Sequence, residues 1–379
     1  MSLDCGSALE LDMSPPRFAI HPMVESASTI DKDFYLDPAV FVRMREAIFA
    51  RNWLWLGDAS DVALPGSLAP RELMPGLLDE PLLLARDAAG VLRLLSNVCT
   101  HRGNILVHEA CRAAQIRCGY HSRRFDLAGP MTFMPGFEGA CEFPSARDHL
   151  PELPLHDWHG HLFTAIHAHE SIDALLAPID ERLPWLDIAG LRPDPARARS
   201  FEFDAHWALY VENYLEGLHI PFLHPGLNAA LDIGSYRYEL FERGNLQFAL
   251  ARDGEFAFEP PVGSPEHGQR IAAYYFWLWP NLMLNFYPWG LSVNLVLPLS
   301  PARTRVIFRS FVGDESKLVG GTGTGAGAGG ALDPVEMEDE AAVIAVQRGI
   351  RSRLYRGGRY SPEHERGVHQ FHRLLAAAA

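Results

Sequence analysis

Two short clips of cysteine and histidine constrain this chain more than any other feature of it. Cys99-Thr100-His101 is followed, after sixteen intervening residues, by Cys118-Gly119-Tyr120-His121. Each clip is short enough to sit at the tip of a hairpin, and two such tips can approach one metal centre from either side. Two thiolates and two imidazoles can bind a single tetrahedral zinc. They can also bind an asymmetric [2Fe–2S] cluster, with both cysteines on one iron and both histidines on the other. The order Cys-x-His then Cys-x-x-His favours the cluster, because zinc fingers more often group a Cys pair and then a spaced His pair. Cys5, Cys111 and Cys141 have no matching partner and read as core or surface thiols.

From residue 53 to about 166, short apolar runs are split by Gly, Pro and Asp. Residues 82–85, 91–95, 131–134 and 161–166 read as strands of a small all-β module, which places both clips on its loops. Ahead of it, Asp37-Pro38 has the form of an N-cap before an N1 proline. Val40, Phe41, Met44, Ile48 and Phe49 then recur at helical spacing up to Asn52. Beyond the module, a helix is expected over 173–186, a strand over 199–207 and helical character over 210–219. Alternation over 272–279, 291–297 and 304–311 suits an antiparallel sheet with one buried face. Residues 320–331, almost wholly Gly, Ala and Thr, have the composition of a flexible linker. Asp333-Pro334-Val335-Glu336 then opens a long helix, and a last helix follows Ser361-Pro362.

A second metal pattern lies in Glu212-Asn213-Tyr214-Leu215-Glu216-Gly217-Leu218-His219-Ile220-Pro221-Phe222-Leu223-His224-Pro225. Glu216 and His219 are three apart and would share a helix face. A straight helix would turn His224 away by about 140°, and Pro221 supplies a distortion that brings it back. Two neutral imidazoles and one carboxylate with open positions form the facial triad that holds non-haem Fe(II) and dioxygen. The third ligand should be a distant carboxylate on a buried face. In the helix after Asp333, Val335, Ala342, Val343, Val346 and Ile350 define an apolar stripe, and Asp339 falls near its middle. Glu338 and Glu340 each point about 100° away, towards water. A carboxylate in an apolar stripe is costly unless paired or metal-bound, so Asp339 is the expected ligand.

The first pattern resembles the Rieske iron–sulfur domain: Cys99-Thr100-His101-Arg102-Gly103 and Cys118-Gly119-Tyr120-His121 match both halves of its motif. That family's second box usually continues with Gly, where this chain has Ser122. The second pattern resembles the catalytic domain of the Rieske non-haem iron oxygenase α subunits, the aromatic-ring-hydroxylating dioxygenase-like proteins. Glu212-Asn213, Glu216, His219 and His224 occupy the places of that family's box. Glu338-Asp339 with Val346-Gln347-Arg348-Gly349 resembles its C-terminal ligand helix. The resemblance runs from about Tyr35 to Phe371.

The resemblance implies an α+β fold: an all-β Rieske module and a catalytic domain of helix-grip type, with a central antiparallel sheet covered by helices. Residues 1–52 would pack on the catalytic domain, 53–166 would form the Rieske module and 167–379 the catalytic domain, with a Gly-rich loop at 319–332. It implies a terminal oxygenase component supplied with electrons from NAD(P)H through a separate reductase or ferredoxin. A [2Fe–2S] cluster on Cys99, His101, Cys118 and His121 would receive them, and mononuclear Fe(II) on His219, His224 and Asp339 would use them with O2. The outcome would be hydroxylation, dihydroxylation or oxidative demethylation of a small organic substrate. The resemblance also implies a homotrimer in which the cluster of one chain faces the iron of its neighbour. Glu216, where many members have Asp, would bridge the two centres, with Asn213 in the same box.

For the substrate, Tyr274, Tyr275, Phe276, Trp277, Trp279, Phe286, Tyr287 and Trp289 crowd one region. Those that face the iron would suit an aromatic ring, or an N-methylated ammonium held by cation–π contacts. A Glu at the bridge position also resembles the branch acting on quaternary ammonium compounds.

Composition narrows the partners. Thirty-three Lys and Arg against 47 Asp and Glu give a net charge of −14, which argues against binding nucleic acid. The first 25 residues hold Asp4, Glu10 and Asp12 and do not read as a signal peptide. No run reads as a membrane span, and five cysteines suit a reducing compartment, so a cytoplasmic protein is expected. His156-Asp157-Trp158-His159-Gly160-His161, with His167 and His169, reads as strand, turn and strand rather than a third metal site. The rival function is a non-catalytic Rieske-type electron carrier or a zinc-stabilised interaction protein, which would have no use for the second box.

Overall fold

The computed structural model describes residues 18–168, 170–318 and 332–378. The expected linker at 320–331 and His169 lie outside the described residues. No helix among those described is long and apolar enough to cross a membrane. The chain opens with α1 (Asp33–Leu36) and α2 (Pro38–Ala47). Asp37 caps α2 by accepting from the Ala39 amide at 2.8 Å, with Pro38 in the first turn. The helix stops at Ala47, and a single 3₁₀ turn over Phe49–Arg51 replaces its expected continuation.

Eleven short strands follow: β1 (Leu54–Asp58), β2 (Ser67–Leu73), β3 (Glu80–Arg86), β4 (Leu92–Ser96), β5 (Cys111–Arg112), β6 (Ile116–Arg117), β7 (Arg124–Phe125), β8 (Met131–Phe133), β9 (Glu152–Leu153), β10 (Leu155–Trp158) and β11 (His161–Thr164). They form three small sheets, ordered β1-β11-β10, β5-β2-β3-β4-β9 and β6-β7-β8. The histidine-rich stretch is the strand, turn and strand that its sequence indicates. His159 and Gly160 both take positive φ, 52° and 88°, as a two-residue hairpin turn requires. His161 is a core residue packed edge-on to Phe311 at 4.5 Å, and burial pushes its imidazole down to about 4.

The remainder carries α3 (Asp173–Arg182), β12 (Arg192–Phe203), α4 (Trp207–Tyr214), α5 (Ile220–Leu223), α6 (Pro225–Ala230), β13 (Leu231–Phe241), β14 (Gly244–Ala251), β15 (Ile271–Leu278), β16 (Leu282–Tyr287), β17 (Gly290–Ser300), β18 (Arg303–Val312), α7 (Leu332–Gly349) and α8 (Arg366–Ala378). Seven of these strands make one antiparallel sheet in the order β12-β18-β17-β16-β15-β14-β13. The strand expected over 199–207 begins earlier and ends at Phe203. His206 stops it by capping α4, its Nδ1 accepting from the Ala208 amide at 3.3 Å, so Trp207 is helical. Helix α3 likewise ends at Arg182, short of the expected 186, and the last helix begins at Arg366.

The sheet is buried on both faces, where alternation alone indicates one. Register explains this. Tyr274 pairs with Phe286 across β15 and β16, which puts Tyr274, Phe276 and Phe286 on one face and Tyr275, Trp277 and Tyr287 on the other. The first face packs against Trp185 and Phe258, with ring centroids 6.5 and 5.6 Å from Tyr274. The second faces the helices: Trp277 meets Phe371 of α8 at 5.3 Å, and the Tyr214 hydroxyl of α4 donates to Asn285 at 2.6 Å.

Candidate metal centres

The first clip occupies the loop after β4, closed by the Cys99 amide on Asn104 O and the Gly103 amide on Cys99 O. The second is the tip of the β6–β7 hairpin, held by the Cys118 amide on Arg123 O at 2.8 Å. Ser122 completes that tip with φ 61°, the left-handed region that favours glycine, which accounts for the Gly usual there. Its hydroxyl accepts from Arg117 at 2.9 Å. Ser122→Gly should therefore keep the cluster spectrum and change the melting temperature little, the backbone relief (about 1 kcal/mol) offsetting the lost hydrogen bond.

Both thiols are buried, and they interact with each other. The His101 and His121 rings meet edge to face at 4.6 Å. Sulfurs and imidazoles are thus grouped by type. Burial raises the Cys99 thiol. At Cys118 burial acts the same way, but the amides of Tyr120 and His121 outweigh it and hold the thiol below its ordinary value. The Tyr120 amide lies 3.4 Å from that sulfur and the Asn104 side-chain amide 3.7 Å. His101 is kept neutral, chiefly by burial, and its buried Nδ1 has no partner among the described residues. An orphaned ring nitrogen beside paired thiols fits a metal cluster.

Arg123 binds the two clips together. It is 2% exposed, donates to Thr100 Oγ1 at 2.6 Å, pairs with Asp148 at 3.2 Å and lies between the Phe137 and Phe143 rings. Thr100 in turn donates to the Asp148 carbonyl at 2.8 Å. Breaking a buried pair from one side leaves an uncompensated charge at a cost of about 3–5 kcal/mol. Arg123→Leu is expected to destabilise the module by about 3 kcal/mol, read as earlier thermal loss of the cluster's visible circular dichroism. An unchanged midpoint would contradict this role.

The second centre is built by a chain that leaves helix geometry twice. Helix α4 ends at Tyr214, earlier than the expected 219, so Glu216 stands in the following turn. The Glu216 carboxylate accepts from the amides of Leu218 and His219 and from His219 Nδ1 at 2.6 Å. Gly217 is required here by close approach, since a Cβ would come within 3.0 Å of the Tyr236 ring. His219 precedes α5, and His224 lies between α5 and α6 with φ −118° and ψ 80°. The two breaks bring the rings to 5.0 Å, with Pro221 and Pro225 at the starts of the short helices.

Asp339 of α7 completes the group: its Oδ1 is 2.9 Å from His224 Nε2 and 3.7 Å from His219 Nε2. These three are the one trio of His, Cys or acidic residues, among those described, whose donor atoms all lie within 4.8 Å. The four clip residues contribute no such trio, although a single tetrahedral zinc would draw its donors to within about 4 Å. The spread of the clip donors suits a two-iron cluster.

Glu338 is a correction. It was expected to face water, yet its Oε2 lies 2.7 Å from His224 Nδ1. Both histidines therefore engage a carboxylate through Nδ1 and turn Nε2 inward, the arrangement that orients a metal-binding imidazole. The apolar stripe misled because the inward face of α7 is partly polar: Glu336, Val343, Gln347 and Ile350 are buried, and Val346 is 47% exposed. Glu338→Ala is expected to weaken iron retention 10–100-fold, roughly the cost of losing such an outer partner, as measured by metal analysis after dialysis against chelator. Asn213 sits half-buried in the last turn of α4. Burial pushes Glu336 up to about 8, despite a hydrogen bond from Tyr210 at 2.7 Å.

A cluster-binding module joined to a two-histidine, one-carboxylate site under a helix-covered sheet is the architecture of the Rieske non-haem iron oxygenases. Residues 52–144 match the Rieske [2Fe-2S] domain, and residues 192–378 match the ring hydroxylating alpha subunit (catalytic domain). The chain belongs to this family as an oxygenase α subunit. It is 28% identical to the carnitine monooxygenase oxygenase subunit of Escherichia coli (strain K12), over 96% of each chain. It is also 28% identical to the chloroplastic choline monooxygenase of Arabidopsis thaliana, over 93% of this chain and 83% of that one. The structure of the quaternary ammonium Rieske monooxygenase CntA in complex with an inhibitor aligns over 93% of this chain and 96% of its own, with TM-score 0.75 and 25% identity. This protein is therefore an iron-dependent oxidoreductase that uses reductase-supplied electrons to activate O2, and the carrier-only reading is set aside.

Proposed function

We propose that this chain oxygenates a quaternary ammonium compound, with the cluster on Cys99, His101, Cys118 and His121 and the mononuclear iron on His219, His224 and Asp339. The observation that carries the substrate class is an aromatic group on the sheet face beside Glu216. Tyr214, Tyr236, Tyr275 and Tyr287 lie close enough to perturb one another electrostatically, each raised first by burial. Tyr275 meets Tyr287 edge-on at 5.9 Å, and Tyr287 stacks on Trp289 at 5.3 Å. Several π faces within reach of one point attract an N-methylated cation, which forms no hydrogen bonds of its own. The relatives named for carnitine and choline, and CntA, support this class over an aromatic ring.

When bound, the iron supplies the redox chemistry by which substrate C–H, O2, two electrons and two protons become C–OH and water. The chain's residues arrange this. Glu216 and Glu338 hold the two imidazoles by Nδ1, leaving Nε2 for the metal. Glu216 reaches His219 from its turn despite being longer than the more common Asp, and in this reading it also bridges to a cluster histidine of the neighbouring chain. The tyrosines and Trp289 hold the substrate and exclude water. Assembly as a cytoplasmic homotrimer, with domain divisions near 52 and 166, belongs to the same proposal. The free state of Cys99, Cys111, Cys118 and Cys141 supports the reducing compartment.

The test is substrate-dependent oxygen uptake by the reconstituted enzyme with a surrogate reductase, comparing choline, L-carnitine and benzoate. Product from at least one ammonium compound and none from benzoate is expected. The reverse would overturn the substrate class.

A further inference from the structure

The charge of the substrate can be read from the same sheet face, an inference that rests on the quaternary ammonium reading above. Five residues cross that face in register, strand by strand: Gln247 pairs with Tyr275, Tyr275 with Asn285, Asn285 with Ser292, and Ser292 with Ser310. Gln247, Asn285, Ser292 and Ser310 are buried, uncharged hydrogen-bonding groups. The row touches the site: Gln247 Nε2 donates to the Tyr214 carbonyl at 2.8 Å, and Tyr236 donates to Gln247 Oε1 at 3.4 Å.

Arg303, Arg305 and Arg309 of β18 alternate with Thr304 and Ser310 and so project from the opposite face. Arg303 and Arg305 are moreover paired with Glu202. Charge on the helix side of the site is acidic, from Glu216, Glu336, Glu338, Asp339 and Glu340. Glu336 is 3% exposed and its Oε1 has no partner among the described residues, an acceptor left over after Tyr210 is satisfied. The strongest electrostatic influences on Tyr214, Tyr236, Tyr275, Tyr287 and Glu336 are acids and other phenols. From Lys317 to Arg348 the sequence itself has no intervening basic residue.

A carboxylate buried without a cationic partner is strongly disfavoured, and here it would also face acids. We propose that the substrate is a quaternary ammonium ion carrying no carboxylate, a net monocation whose polar end is a neutral group such as a hydroxyl. The acids and π faces favour the positive charge, and the Gln247–Asn285–Ser292 row offers both donors and acceptors to the hydroxyl. Ammonium carboxylates such as L-carnitine and γ-butyrobetaine, neutral overall, would bring their anionic end to a site that offers it no counter-charge.

The experiment is calorimetric titration of the iron-loaded enzyme with choline, L-carnitine and γ-butyrobetaine, alongside kcat/KM for each. Choline is expected to bind at least ten times more tightly than either zwitterion and to turn over with at least tenfold greater kcat/KM. Zwitterions that bind and react as well as choline would overturn this inference and leave the ammonium reading standing. If none of the three binds while benzoate turns over, both fall.

Discussion

Asp339→Ala is expected to abolish turnover and remove the mononuclear iron while leaving the cluster spectrum unchanged. Asp339 is the single carboxylate that approaches both His219 and His224 Nε2, at 3.7 and 2.9 Å. Two imidazoles alone make a much poorer site for Fe(II), because the hard anionic donor of the triad is gone. The cluster should survive because its cysteines belong to a separate core with Leu68, Leu83, Leu95, Ile116 and Phe125, which contains no residue of α7. His219→Ala should behave alike. Oxygen uptake, iron content and visible absorption measured on one preparation check this. Turnover persisting in Asp339→Ala would remove the residue from the iron site.

Glu216→Gln should separate electron delivery from metal binding. One carboxylate oxygen takes the His219 ring at 2.6 Å, and the other takes the amides of Leu218 and His219. A glutamine must give up one of these acceptor roles, since its NH2 end only donates. Because the backbone amides lock one end, the cost falls on the imidazole or on the neighbouring chain's histidine. Steady-state turnover is expected to fall by roughly 100-fold, the upper range for lost partners of metal-binding histidines, with both metal centres retained. Rapid-mixing absorption should show a cluster that is still reduced but is slow to reoxidise when substrate and O2 are added. A variant that loses iron along with activity would make Glu216 a support of the iron site alone.

The metal ligands were legible because coordination restricts both residue type and spacing. Cys99, His101, Cys118 and His121 were readable from spacing alone, and the structure sets the two sulfurs together and the two rings at 4.6 Å. The assignment of Asp339 was correct although part of its reasoning was not. The helix was treated as amphipathic, whereas its inward face carries Glu336 and Gln347, held by Tyr210 and by the His206 amide. Buried polar groups of this kind have no signature in hydrophobic periodicity, so Glu338 could not be found that way. Its placement follows from the sharp turn at His224, a tertiary fact. The eight aromatic residues likewise needed register: Tyr275 and Tyr287 face the helices, and Tyr274, Phe276 and Phe286 do not. The helix expected over 210–219 ends early because Glu216 offers its carboxylate to amides that a continuing helix would have bonded to carbonyls.

The measurement closest to the central claim is iron and acid-labile sulfide per chain, with electron paramagnetic resonance of the reduced protein, in wild type and Asp339→Ala. The account expects one [2Fe–2S] cluster with the signal of mixed Cys and His ligation, plus one further iron that is absent from the variant while sulfide is unchanged. Zinc in place of sulfide-bound iron, or a variant that keeps all of its iron, would contradict it.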